Sequence, residues 1–168
     1  EGQRRNGIDI TLIQPATAHD LEGARAYLDA IADLARRYPG RFRGIANPNP
    51  HLPSDAYEGE VRRCVLELGF VGIKVHPMAH AVNPVGRPGR RAFALAAELG
   101  GPVMVHTGAG IPWAAPALLD PIAAEHPGLK IILAHAGGSI FAAEAAQLAA
   151  RQRRVYLEFS WVGVHHVL

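Results

Sequence analysis

Six short β-rich runs recur along the 168-residue chain: "IDITLIQP" (8–15), "FRGIANPNP" (42–50), "VGIKVHP" (71–77), "PVMVHTG" (102–108), "KIILAHAGG" (130–138) and "VYLEFSW" (155–161). Their starts lie about 25–35 residues apart, the length of one strand-plus-helix unit. The intervening segments have helical periodicity. In "AHDLEGARAYLDAIADLARRY", Leu21, Leu28, Ile31 and Leu34 fall at helical spacings, Asp20 is placed to cap the first turn, and Pro39-Gly40 stops the run. "SDAYEGEVRRCVLEL" opens at Ser54 or Asp55 and ends at Gly69, and "GRRAFALAAELG" ends at Gly100. In "APALLDPIAAEHPG", Pro121 either kinks the helix or begins a fresh turn, and "GSIFAAEAAQLAARQ" follows the fifth run directly. Strands alternating with helices require a parallel sheet.

Two parallel architectures compete, an open doubly wound sheet and a closed (β/α)8 TIM barrel. Gln14, Asn47, His76, His106, His135 and Ser160 all sit toward the C-terminal end of their runs. An open sheet uses mainly the strand ends beside its switch point, whereas a barrel gathers nearly all of them around one centre. No G-x-G-x-x-G follows the first run, which also favours the barrel. Eight units at this spacing need about 250 residues. The expectation is therefore one α/β domain over residues 1–168, an incomplete barrel with about six of its eight strands; a genuine six-stranded open sheet is the alternative.

Composition narrows the partners. The chain is 49% hydrophobic, yet Arg, Glu, Gly and Pro interrupt every stretch before it reaches the roughly 20 apolar residues of a membrane span. "EGQRRNGIDI" lacks the apolar core of a signal peptide. The single cysteine, Cys64, excludes an internal disulfide and reads as a buried, inert helical thiol. These features point to the cytoplasm. The net charge of +2 is small, and its basic clusters (4–5, 35–37, 89–91, 151–154) fall near helix ends, without interleaved aromatic residues to stack bases. Neither nucleic acid nor a membrane is expected as a partner. A small-molecule substrate is, with a homodimer or larger oligomer as the assembly.

The chemistry concentrates in the fourth and fifth runs. Each delivers a histidine, His106 or His135, to a glycine-rich loop: "HTGAG" and "HAGGS". Alternation places Met104 and His106 on one face, and Ile131, Leu133 and His135 on one face. If both faces line the barrel interior, the two imidazoles converge from strands about 4.8 Å apart. Glycines beyond them would leave room for a substrate and let the backbone turn. A lone strand-end histidine is more often a structural hydrogen-bonding residue. Two at matched positions on consecutive strands point to a metal site, since neutral imidazole binds zinc and related ions. Two ligands are too few, because a catalytic zinc usually has three protein ligands and a water.

In order and spacing, "GIKVHP", "PVMVHTG", "KIILAHAGG" and "VYLEFS" resemble the amidohydrolase superfamily. The resemblance is to its amidohydrolase-related branch, which includes aminocarboxymuconate-semialdehyde decarboxylase and related decarboxylases. It runs from about residue 7 to the end of the chain. Members are metal-dependent (β/α)8 barrels with an HxH pair on strand 1, a histidine on each of strands 5 and 6, and an aspartate on strand 8. The resemblance makes the six runs strands 2 to 7, leaving strands 1 and 8 missing. His106 matches the strand 5 ligand and His135 the strand 6 histidine, so both are expected at the metal and in catalysis. The implied cofactor is a divalent metal, zinc first, with Mn, Fe or Co as alternatives. "IDI" is not an HxH, so the segment alone is expected to be inactive.

Further site residues follow from position. Lys74 shares a face with His76 and is expected to line the site as a cation, rather than to be carboxylated and bridge two metals as in some amidohydrolases. His76 could contact substrate or hydrogen-bond at the strand end. Trp113 and Trp161 could wall a substrate pocket. His165 and His166 would reach the same mouth if their loop folds inward. Lys74, with the nearby Arg87, Arg90 and Arg91, suggests an acidic substrate. The leading function is a metal-dependent hydrolase acting on a small carboxylate, amide or lactone-like substrate. The alternative within the family is a non-oxidative decarboxylase. A different class, a non-catalytic barrel fragment or binding protein with structural histidines, remains open on sequence alone.

Overall fold

A computed structural model describes residues 2–108 and 111–163. Every expected run contains a strand: β1 Thr11–Ile13, β2 Phe42–Gly44, β3 Ile73–Val75, β4 Val103–His106, β5 Ile131–Ala134 and β6 Val155–Glu158. The helices are α1 Gly2–Arg5, α2 Leu21–Arg37, α3 Ser54–Arg62, α4 Arg87–Leu99, α5 Asp120–Glu125 and α6 Gly138–Arg151. The chain forms two compact units, one ending at Gly72 and the other beginning at Ile73.

In the first unit β1 and β2 pair in parallel, Thr11 beside Phe42. As the spacing predicts, Asp20 caps α2, its carboxylate accepting from the Gly23 N–H at 2.6 Å. One stripe of α2 (Ala24, Leu28, Ile31, Ala32) packs with Ala46, Cys64 and Phe70. Each large aliphatic side chain fully buried there contributes about 1.5–3 kcal/mol. The Phe70 ring lies over Gly44, where an added Cβ would meet ring carbons at 2.5 Å. Beyond α3 the chain widens into a π-helical turn, Arg63–Glu67, which carries Cys64. That thiol is buried beside Glu60, and burial pushes its pKa up to about 12, so it is inert as expected. The Glu60 carboxylate is itself fully buried. Burial alone would raise its pKa, but Arg63 at 2.6 Å and Arg25 at 2.7 Å outweigh that and hold it ionised.

The second unit is a four-stranded parallel sheet in the order β3-β4-β5-β6. Each strand neighbours the next in sequence, without the reversal that defines a doubly wound sheet. Register aligns Ile73, Val103, Ile131 and Val155, and two residues on Val75, Val105, Leu133 and Leu157. Residues aligned in register point to the same side of a sheet. This face is the apolar core, with α4 packed on β3 and α6 on β6. The other face carries Lys74, Met104, His106, Ile132, Ala134, Tyr156 and Glu158. Pro121 begins a fresh turn: a 3-10 turn at Pro116–Leu119 ends there and α5 starts. Among the described residues no helix is long and apolar enough to cross a membrane.

Candidate active site

The polar face of the second sheet ends in three imidazoles. His76 directly follows β3 and stacks on His106, the last residue of β4, with ring centroids 4.2 Å apart and planes 16° from parallel. His135 meets His106 edge-on, centroids 4.9 Å apart at 72°. The structure thus brings His106 and His135 together, and His76, expected to contact substrate or to hydrogen-bond at its strand end, stacks on His106.

The reason expected for this convergence is wrong. Ile131 and Leu133 lie in register with Val103 and Val105, on the face opposite His106. A regular strand would carry His135 to that face too. Instead the chain leaves β5 at His135 with φ +64°, followed by Ala136 at φ +46°. Two consecutive non-glycine residues in the left-handed region are strained. The break swings the imidazole back over the polar face.

Neighbouring groups define each ring. The Ala79 N–H donates to His76 Nδ1 at 3.2 Å, so the proton of the neutral ring resides on Nε2. The His135 ring faces the Ser160 carbonyl, 2.9 Å from Nδ1. A carbonyl only accepts, so in the neutral ring Nδ1 carries the proton and Nε2 the lone pair. His106 Nε2 is buried with no hydrogen-bond partner among the described residues. Burial first, then neighbouring Lys74 and His135, pushes the His76 pKa down to about 4. Burial, followed by His76, His135 and Lys74, does the same to His106, also to about 4.

Lys74 lies one strand repeat below His76 and is only 2% exposed. Burial pushes its pKa down to about 8, with Glu158 pulling the other way. Glu158 was not anticipated. Its carboxylate accepts from the His135 N–H at 3.2 Å, the Ser160 N–H at 2.6 Å and the Ser160 hydroxyl at 2.9 Å. Burial raises its pKa, but the Ser160 and His135 hydrogen bonds outweigh this and hold it below the usual carboxylate value. Thr107, also missed, donates its hydroxyl to the Ala134 carbonyl at 2.6 Å and accepts from the Gly137 N–H at 2.9 Å. It stitches the loops after β4 and β5 together. Gly108 does turn the backbone, at φ +96°, but an added Cβ would lie 3.0 Å from the Gly137 carbonyl oxygen. The room it leaves belongs to the neighbouring loop rather than to a ligand.

The tryptophans part company. Trp113 is 42% exposed in a 3-10 turn and lines an apolar cavity of about 420 Å3 with Pro77, Met78, Ala81, Ile111 and Pro112. Trp161 is 97% exposed, its ring 6.3 Å from that of His135. Arg90 is engaged in the fold, paired with Glu125 and donating to the Val85 carbonyl at 2.9 Å. His165, His166 and Gly110 lie outside the described residues. A larger cavity, about 620 Å3, opens at the far end of β6 among Arg151, Arg153 and Arg154, away from the histidines.

The donor set fits a share of a metal site. His106 offers a buried nitrogen without a partner among the described residues, on a ring held neutral, which is what a metal requires of imidazole. Among the described residues no group of three or more His, Cys, Asp or Glu could hold an ion alone.

Comparison with known proteins bears on the family and the fold. The family model described as amidohydrolase matches residues 8–166. The gamma-resorcylate decarboxylase of Rhodococcus jostii (strain RHA1) is 32% identical over 164 residues, covering 75% of this chain and 48% of its own length. The chain thus spans about half the length of that curated relative. A TIM-barrel protein of Bordetella bronchiseptica superposes with a TM-score of 0.76 at 18% identity, over 92% of this chain and 56% of its own. The 5-carboxyvanillate decarboxylase of Novosphingobium aromaticivorans DSM 12444, complexed with manganese and 4-hydroxy-3-methoxy-5-nitrobenzoic acid, superposes with a TM-score of 0.68 at 21% identity, over 90% and 54%. The fold is an incomplete (β/α)8 barrel.

Proposed function

Because this chain belongs to the amidohydrolase family, we propose that its histidine cluster is part of the active site of a metal-dependent, non-oxidative decarboxylase of hydroxylated aromatic acids. Hydrolysis, the leading expectation from sequence, is supported only as far as the family. The decarboxylase alternative is favoured by the gamma-resorcylate decarboxylase relative. The observation that carries the reading is the buried Nε2 of the neutral His106 ring, without a partner among the described residues, beside a second imidazole held through its Nδ1. Among the described residues no group of three or more His, Cys, Asp or Glu could hold the ion alone, so on this reading further ligands come from elsewhere in the protein.

His106 would hold a divalent metal together with those ligands. A bound metal supplies positive charge to the substrate's oxygens. Manganese is preferred to zinc because the carboxyvanillate decarboxylase binds it. Lys74, buried on the same face, sets its ammonium against an acidic oxygen of the substrate. His76 presents its Nε2–H as a second donor. His135 Nε2 takes the proton of the phenol ortho to the carboxylate and returns it to the ring carbon bearing that carboxylate. The bond to the carboxylate then breaks, its electron pair restores the aromatic ring, and CO2 leaves. The apolar cavity beside Trp113 lies on the loops that follow His76 and His106 and suits the ring's non-polar edge.

The test is a substrate panel on the full-length protein with manganese: 2,6-dihydroxybenzoate and 5-carboxyvanillate against an aryl amide, an ester and a lactone. CO2 release from a hydroxybenzoate without hydrolysis of the others is expected. The reverse pattern restores the hydrolase reading.

A further inference from the structure

We infer that Glu158 is a positioning residue that sets both the backbone and the tautomer of His135. The carboxylate engages this histidine twice. It accepts the His135 N–H directly at 3.2 Å, at the residue whose φ of +64° turns the ring back over the polar face. It also accepts the Ser160 N–H at 2.6 Å and hydroxyl at 2.9 Å, which fixes the residue whose carbonyl takes the imidazole proton, 2.9 Å from Nδ1. The Ser160 hydroxyl oxygen lies 3.1 Å from the same Nδ1. With its own proton on Glu158, that oxygen is left as a second acceptor for Nδ1–H. Both described neighbours of Nδ1 thus accept, and in the neutral ring the lone pair falls on Nε2.

Register explains why Glu158 occupies this place. Glu158 lies beside Ala134, one residue before the strained turn, so a side chain on β6 reaches the peptide at which β5 breaks its alternation. A glutamine there has the same shape but brings an N–H2 group among three donors, and at least one of the three hydrogen bonds must be lost.

The kinetic part of this inference rests on the proposed decarboxylation; the structural part does not. The full-length protein, loaded with a diamagnetic divalent metal and 15N-labelled at histidine, reports the tautomer by long-range proton–nitrogen spectra. The wild type is expected to show His135 protonated at Nδ1, and Glu158→Gln a mixture of tautomers. With manganese, Glu158→Gln is expected to lower kcat about 10–100-fold while KM moves less than about threefold. Ser160→Ala, a milder change that keeps the carbonyl, is expected to lower kcat about 2–10-fold. It carries the test if Glu158→Gln does not fold. A folded variant with the wild-type tautomer and kcat within about twofold of wild type overturns the inference. If the wild-type protein releases no CO2 from any hydroxybenzoate, the proposed function fails, while the nitrogen spectra still decide the role of Glu158.

Discussion

Lys74 is a nearly fully buried ammonium on the face that carries the imidazoles, and burial holds its pKa down at about 8. Its charge is present below that pH and fades above it. For a carboxylate substrate, KM is therefore expected to rise as pH passes about 8, and initial-rate measurements from pH 6.5 to 9.5 would show this. Lys74→Met removes the charge and is expected to raise KM about 10–100-fold, the worth of one charged hydrogen bond, and to flatten the dependence. His106→Asn is expected to leave less than about a tenth of an equivalent of bound metal by elemental analysis. Lys74, His76, His106 and His135 were all legible in the sequence, because each is a polar residue interrupting or ending an apolar run. Glu158 and Thr107 were not. Glu158 sits in an ordinary alternating strand, and only the register with Ala134 brings it to His135. Thr107 reads as loop composition until its hydroxyl is seen joining two loops.

Among the elements, every strand was legible, because hydrophobic runs at strand-plus-helix spacing leave few alternatives. The faces were not all legible. Alternation in β5 stops one residue short of His135, at a backbone break that no residue type announces: His135 and Ala136, rather than glycines, adopt positive φ. The glycines that do matter are close approaches. At Gly108 an added Cβ would press on the Gly137 carbonyl at 3.0 Å from a left-handed backbone, so Gly108→Ala is expected to cost about 1–3 kcal/mol. At Gly89, in the first turn of α4, an added Cβ would lie 2.5 Å from the Pro84 carbonyl oxygen and closer still to that of Asn83. Backbone cannot give way as a side chain can, and Gly89→Ala is expected to cost at least as much, about 2–3 kcal/mol. Urea unfolding of each variant checks both.

For the whole molecule, strand order made the barrel legible and histidine position made the site legible. Substrate chemistry was not, because one barrel scaffold serves many reactions through its loops. No residue pattern in the chain separates hydrolysis from decarboxylation, and the proposal of decarboxylation rests on the gamma-resorcylate decarboxylase relative. The chain covers about half of that relative; the proposed function predicts that residues 1–168 alone release no CO2 from a hydroxybenzoate and that the full-length protein does, which a direct assay of both checks. The central claim is that a metal held in part by His106 works with a proton-moving His135. It is tested most directly by incubating the full-length protein with manganese and 2,6-dihydroxybenzoate in D2O and following the product by NMR. The expected result is 1,3-dihydroxybenzene carrying deuterium at the vacated carbon, with turnover abolished by chelation and by His106→Asn. No decarboxylation, or decarboxylation that persists unchanged after chelation, would contradict it.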